Sequence, residues 1–416
     1  MELPIIFLDK EELLRFVDSG DLQREGIAYE WEGEQVVHVK MNPSLHSYGK
    51  VSKAVFIKAE AGQADLSHIS CRYLVRMVSS DDAVLYEMID GKSVERTVCY
   101  IPSSGELYSR SKGILEVDIL ESKRVLIIGL GSFGSRIAIE LAKAGVGSFS
   151  LFDFDRVELH NLARHTCTVH DLGRLKTDAI YDAILGKNPY AKVDRFSVNI
   201  NEQLTLLYEE VGKADLVICT TDNNQSRFNI MKALVKQQRT GIIGRAVTRA
   251  EGGDVFRYRP GGPCYCCLIG TGWYDVSAEE ITNLASARRN GQIAAYVSDE
   301  EADAVVQVGL SSDIEPICNL MVKLALVELS KGLDSGISCL EEELVYDYYM
   351  WANRRERRHA NWAAMPNAGN KPTVLRWYGA HIRKDDECPL CSDQIRLDEG
   401  EDDEESFDLT VRTFSR

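Results

Sequence analysis

The stretch from Lys123 to Asp153 constrains this chain more than any other. Val125-Leu-Ile-Ile128 is a short apolar run without alternation, the pattern of a strand buried on both faces. Gly129-Leu-Gly131-Ser-Phe-Gly134 follows at once, and Ser135 to Ala144 then has helical periodicity. A glycine turn between a buried strand and a helix leaves the helix N-terminus open. Its unpaired N–H groups and the positive end of its dipole are then available to a phosphate. Ser148-Phe-Ser-Leu-Phe152 reads as the next strand and ends at Asp153, where an acidic residue can hold a ribose hydroxyl.

The alternation continues. Lys176 to Leu185 reads as a helix, Ala191 to Val198 contains a strand, Ala214 to Cys219 is strand-like, and a helix runs through Met231 to Gln238. Strands and helices in this order predict an α/β domain with a doubly wound, mostly parallel sheet covered on both faces. Beyond it, Gly270 to Val306 is polar and irregular and is expected to be a long loop. Pro316 to Gly332 returns to a helix, and Glu343 to Trp351 reads as a late strand before the basic cluster Arg354 to Arg358. Residues 1–108 read as a separate, smaller α+β unit, with a helix over Lys10 to Val17 and strands at Gln35 to Lys40 and Ala54 to Lys58. Its histidines, His38, His46 and His68, lack metal-ligand spacing and read as ordinary packed or surface residues. The domain boundaries expected are 1–108, 109–392 and an acidic tail, 393–416.

Composition excludes some classes of function. The formal charge of −16 lacks the basic footprint of a general nucleic-acid binder. No run approaches the ~20 apolar residues that span a bilayer, and the N-terminus has no secretory pattern, so a cytoplasmic protein away from membranes is expected. Asp398 to Glu405 is a self-repelling acidic run and reads as a solvated tail.

On the glycines and Asp153 alone, a nicotinamide-dependent oxidoreductase would be the leading reading. The loop Asp153-Phe-Asp155 to Asn161-Leu-Ala-Arg164, then Lys176, then Thr220-Thr-Asp222-Asn223 point elsewhere. In a doubly wound sheet these strand ends converge on one crevice. Two cations, an amide and a carboxylate suit a triphosphate with magnesium better than a pyrophosphate needing no metal.

Together, Gly129-x-Gly131-x-x-Gly134, Asp153-Phe-Asp155-x-Val with Asn161-Leu-x-Arg164, Gly173-Arg-x-Lys176, Asn188-Pro189 and Asp222-Asn223 resemble the adenylating domain of the ubiquitin-activating-enzyme superfamily. That superfamily includes the bacterial ThiF–MoeB-type adenylyltransferases, and the resemblance covers roughly residues 105 to 392. His165, where many members have Gln, is similar to a bacterial branch associated with ubiquitin-like conjugation systems, some of them antiviral. The resemblance implies a Rossmann-like fold, ATP and Mg2+. It implies that Asp153 holds the ribose, that Asn161 and Arg164 contact the phosphates, and that Lys176 neutralises developing charge. Asp222 would bind magnesium, with Asp155 and Asn223 completing the nucleotide set. Arg110 matches an arginine that crosses a homodimer into the partner's ATP site.

Eleven cysteines in a long chain without a secretory signal point to metal rather than disulfides. Cys264-x-x-Cys267 and Cys388-x-x-Cys391 are two knuckles able to close a tetrahedral Zn2+ site, a pairing the family shares. Cys266 is left over. An enzyme that passes its acyl group onward also needs a thiolate. Family members often carry it in the loop expected here at Gly270 to Val306, which contains no cysteine. Cys266 is the named candidate beside Cys167, Cys339, Cys71 and Cys99, whereas Cys219 and Cys318 read as core residues. The function expected is ATP-dependent adenylation of the C-terminal carboxylate of a ubiquitin-like protein, followed by thioester formation and transfer to a conjugating enzyme. Adenylation of a sulfur carrier or peptide without a thioester is the alternative.

Overall fold

A computed structural model describes residues 4–31, 34–41, 50–58, 70–79, 82–101, 107–115, 117–247, 250–270, 309–334, 336–354 and 373–392. The expected loop 270–306, apart from Gly270, and the tail 393–416 lie outside the described residues.

Two eight-stranded sheets organise the chain. The first uses β1 (Ile5–Asp9), β2 (Gln23–Trp31), β3 (Val36–Lys40), β4 (Lys50–Ile57), β5 (Tyr73–Met77), β6 (Ala83–Ile89), β7 (Lys92–Arg96) and β8 (Val98–Ile101), with helix α1 (Lys10–Asp18) after β1. The strand order is β7-β6-β5-β4-β2-β3-β1-β8. Only Thr97 separates β7 from β8, yet they stand at opposite ends of that order. One continuous segment therefore joins both edges, and the sheet curls upon itself. The Tyr100 hydroxyl on β8 bonds Asp82 and receives the Ala83 N–H at the start of β6, which draws the two edges together. The interior is apolar: Ile6, Leu8, Val39, Phe56, Val75 and Leu85, with Leu13 and Phe16 from α1. His38 stacks on Phe7 at 5.0 Å, and burial lowers its pKa.

The second sheet holds β9 (Arg124–Ile128), β10 (Ser148–Phe152), β11 (Lys192–Phe196), β12 (Leu216–Cys219), β13 (Gly241–Ala246), β14 (Gly252–Tyr258), β15 (Tyr348–Ala352) and β16 (Arg376–Ala380). Its order is β11-β10-β9-β12-β13-β14-β15-β16. The first five strands are parallel and the last three add on antiparallel. The helices are α2 (Gly134–Ala144), α3 (Lys176–Leu185), α4 (Leu204–Lys213), α5 (Asn224–Lys236), α6 (Tyr265–Ile269) and α7 (Ser311–Ser330).

Along β9 the side chains divide by parity, as a strand's two-residue period requires. Val125 and Ile127 enter one apolar cluster with α2, α3 and α7; Leu126 and Ile128 enter another with α4, α5 and α6. The sheet is doubly wound, as expected. Successive strands run outward from β9 through β10 to β11, and then from β12 to β13 on the other side. The order reverses between β9 and β12, which places a ligand crevice at their C-terminal ends.

Three element boundaries differ most from expectation. The helix expected over Met231 to Gln238 begins at Asn224 and stops at Lys236, because Asn223 caps it immediately after the β12 loop. The Asn223 side chain accepts the Ser226 N–H at 2.8 Å. The helix expected from Pro316 starts at Ser311, with Asp313 in its first turn and the proline inside. The late strand expected over Glu343 to Trp351 is shorter: β15 begins at Tyr348, and Glu343 ends a short helix, Cys339–Glu343. Among the described residues no helix is long and apolar enough to cross a membrane.

Candidate nucleotide site and cysteine cluster

Two of the three turn glycines are required by packing. Gly129 has φ +87°, and a Cβ there would meet the Thr220 carbonyl oxygen at 3.0 Å. A Cβ on Gly134 would lie 1.9 Å from the Gly129 oxygen. The Thr220 hydroxyl donates to that same oxygen at 2.6 Å, tying the turn to the end of β12. Gly131 differs: a Cβ there meets nothing within 4 Å. It borders open space, and no side chain caps the start of α2. An uncapped helix start beside open space is what an anion needs.

Asp153 ends β10 with its side chain 9% exposed. One of its oxygens accepts the Leu130 N–H at 2.7 Å and the other the Asp155 N–H at 2.8 Å. Burial raises its carboxyl pKa against the opposing pull of Lys176 and these two donors. The Lys176 ammonium lies 2.8 Å from Asp155 and 3.9 Å from Asp153. Burial alone would lower the Lys176 pKa, but Asp153, Asp155 and Asp222 together hold it raised. Lys176 is thus charged, and Asp222, exposed at the end of β12, is close enough to act on it.

The loop between Asp155 and Lys176 carries the remaining polar set. Asn161 lies in the 3-10 helix Leu159–Ala163, where its side-chain oxygen accepts the Glu158 N–H at 2.8 Å. Arg164 follows. Among the described residues nothing pairs with its half-buried guanidinium, and burial alone lowers its pKa. A cation so placed calls for an anion from elsewhere.

His165 was not given a structural role by its sequence context, yet it holds this loop to the glycine turn. Its Nδ1 accepts the Cys167 N–H at 3.0 Å, so Nε2 carries the proton and donates to the Leu130 carbonyl at 2.5 Å. Burial pushes its pKa down to about 4. Arg227 is a second residue that sequence reasoning passed over. Buried in α5, it donates to the Thr221 carbonyl at 2.8 Å and to Asn224 at 3.1 Å, bracing the loop that bears Asp222. Its spacing five residues after Asp222 was the only available signal. Arg110 is exposed in the turn following Leu107, away from any ion pair among the described residues.

The sulfurs of Cys264, Cys267, Cys388 and Cys391 all lie within 4.8 Å of one another. Measured separations are 3.9 Å for Cys264–Cys267 and 3.5 Å for both Cys264–Cys388 and Cys267–Cys391. A tetrahedral zinc with Zn–S bonds of about 2.3 Å sets its sulfurs about 3.8 Å apart, so the cluster has the dimensions of a zinc site. Cys266 is 7% exposed and packs in the apolar cluster with Phe256 and Tyr258. Cys219 and Cys318 are buried in the core, while Cys99 and Cys339 are exposed.

The profile of the ThiF family matches residues 110–361. The chain belongs to the ThiF family. It is 36% identical over 156 residues to the molybdopterin-synthase adenylyltransferase of Escherichia coli strain K12, covering 36% of this chain and 60% of that protein. To the adenylyltransferase and sulfurtransferase MOCS3 of Anopheles gambiae it is 28% identical over 212 residues, 50% of this chain and 47% of that one. The match therefore spans about half to three fifths of these relatives' lengths. The crystal structure of E. coli MccB with ATP overlays at a TM-score of 0.45 and 17% identity, over 66% of this chain and 68% of that one.

Proposed function

We propose that this ThiF-family chain adenylates the C-terminal carboxylate of a ubiquitin-like protein or comparable small protein or peptide. The observation that carries this reading is Arg164. Its half-buried guanidinium has no anion among the described residues, and it stands beside the loop that His165 pins to an uncapped helix start. Relatives named as adenylyltransferases support the same chemistry.

In this reading ATP lies across the crevice. Asp153 keeps lone pairs for the ribose, Gly131 admits the phosphates, and Arg164 with Lys176 neutralises them; Asn161 and Asn223 shape the loops. Asp222 would hold magnesium, which supplies charge neutralisation for the departing pyrophosphate. A carboxylate oxygen of the acyl substrate attacks the α-phosphorus, the bond to the bridging oxygen breaks, and pyrophosphate leaves an acyl-adenylate. Positioning and fixed charge do most of this work. The proposal ends at the adenylate, since Cys266 is packed away from solvent and Cys167, on the crevice loop, is only part-exposed, with burial pushing its thiol up to about 12. Transfer to a conjugating enzyme would need a thioester elsewhere. An exposed Arg110 suits the reach into a partner's site that a homodimer would use.

The test is ATP–pyrophosphate exchange with a panel of ubiquitin-like proteins, sulfur carriers and peptides with free C-termini. Arg164→Ala and Asp222→Ala are expected to lose ~10²–10³ in rate. Near-normal exchange in both would overturn the reading.

A further inference from the structure

Along the crevice the strand ends follow a fixed sequence: Asp153 closes β10, Gly129 closes β9, Thr220 to Asp222 close β12, and Arg245 lies near the end of β13. With the ribose carboxylate on β10, β13 is the far side of the phosphate-binding turn. Strands lie about 4.8 Å apart, so β13 stands roughly 10 Å from β9. The carboxylate to be activated must approach the α-phosphate from a side the nucleoside does not occupy, and β13 borders that side.

Three groups meet there. Arg245 faces Asp254 across the β13–β14 pair, and its Nε lies 3.0 Å from both Asp254 oxygens. The Asp254 side chain is 4% exposed and that of Arg245 25%, so the guanidinium is anchored at a buried acid and still reaches solvent. The third group is Tyr265. Its ring packs edge-on to Phe256 at 5.8 Å, and its buried hydroxyl has no hydrogen-bond partner among the described residues. Phe256 and Asp254 are two residues apart on β14 and so share one face of the sheet, which sets the Tyr265 ring on the face that bears Asp254. A buried hydroxyl without a partner is disfavoured in the free protein, and it is retained where another state satisfies it.

We propose that Arg245, anchored on Asp254 and backed by Tyr265, is the subsite for the terminal peptide unit of the acyl substrate. The guanidinium stays on Asp254 through Nε and donates from its terminal nitrogens to the carbonyl oxygen of the peptide bond next to the activated carboxylate, and the Tyr265 hydroxyl gains its partner in that bound state. This inference rests on the adenylation reading. It also explains a link between the two sites: Tyr265 lies between Cys264 and Cys267, so a metal held by the cysteines would keep the tyrosine in place.

The experiment uses the full chain and whichever panel substrate gives the fastest wild-type exchange. Tyr265→Phe keeps the ring and removes the unpaired hydroxyl. It should raise the melting temperature of the free protein, or leave it unchanged, while raising KM for the acyl substrate at least threefold. Arg245→Met with Asp254→Asn avoids a lone buried charge and should raise that KM at least tenfold, with ATP affinity within twofold of wild type. Wild-type exchange with an unaltered acyl KM in both folded variants overturns the subsite and leaves the adenylation reading standing. Absence of exchange in the wild type with every panel member overturns both. A fall in ATP affinity equal to the change in acyl KM also overturns the subsite, because it reports a general collapse of the crevice.

Discussion

Arg164 and Lys176 are both half-buried or buried cations near the crevice, but among the described residues only Lys176 has acids beside it. Removing Arg164 therefore takes away an uncompensated charge. Arg164→Ala should leave the urea midpoint of the free protein unchanged or slightly higher, while the rise in melting temperature produced by ATP disappears; urea titration and thermal melts with and without ATP check this. His165 makes a different prediction. Its folded pKa of about 4 lies below the ordinary 6.5, so the unfolded chain takes up the proton first as pH falls. Its neutral form contributes fully above about pH 6.5, and that contribution is lost as pH falls toward about 4. The loss amounts to roughly 3 kcal/mol. Unfolding free energies of wild type and His165→Gln, measured at pH 7 and pH 4.5, should converge or cross at the lower value.

At the scale of the element, the glycine turn separates folding from binding. Gly134→Ala places a methyl 1.9 Å from a backbone oxygen that Thr220 already holds, so this variant should lose most of its soluble yield or melt far below wild type. Gly131→Ala meets nothing and should melt within a few degrees of wild type. It should nevertheless bind ATP at least tenfold more weakly, measured by calorimetry, because the methyl occupies the space left for phosphate. The start of α5 belongs to the same class of argument. Asn223 accepts the Ser226 N–H, and Asn223→Ala should cost ~1 kcal/mol in denaturant unfolding. Sequence periodicity located this helix but missed its beginning, since the polar run Asn223-Asn-Gln-Ser226 carries no apolar stripe. The cap is visible only as a hydrogen bond.

At the scale of the molecule, residues 124 apart in the chain close the cysteine cluster. One zinc per chain is expected by metal analysis. Cys388→Ser with Cys391→Ser should release it and lower the melting temperature, because the knuckles join β14 and α6 to the segment after β16. The N-terminal sheet was legible as strands but not as a sheet whose two ends are drawn together. No local pattern says that β8 pairs with β1 while β7 pairs with β6.

The sequence by itself determined the alternation of strands and helices, the glycine turn and the two cysteine knuckles, because apolar periodicity and fixed short spacings are local properties. Tertiary structure alone decided which glycine faces open space and which cation lacks an anion. It also decided that His165 and Arg227 brace the crevice, and that the Tyr265 hydroxyl is buried without a partner among the described residues. Each of those facts depends on atoms brought together from distant strands, and burial and pairing are set by those neighbours rather than by the residue's own place in the chain.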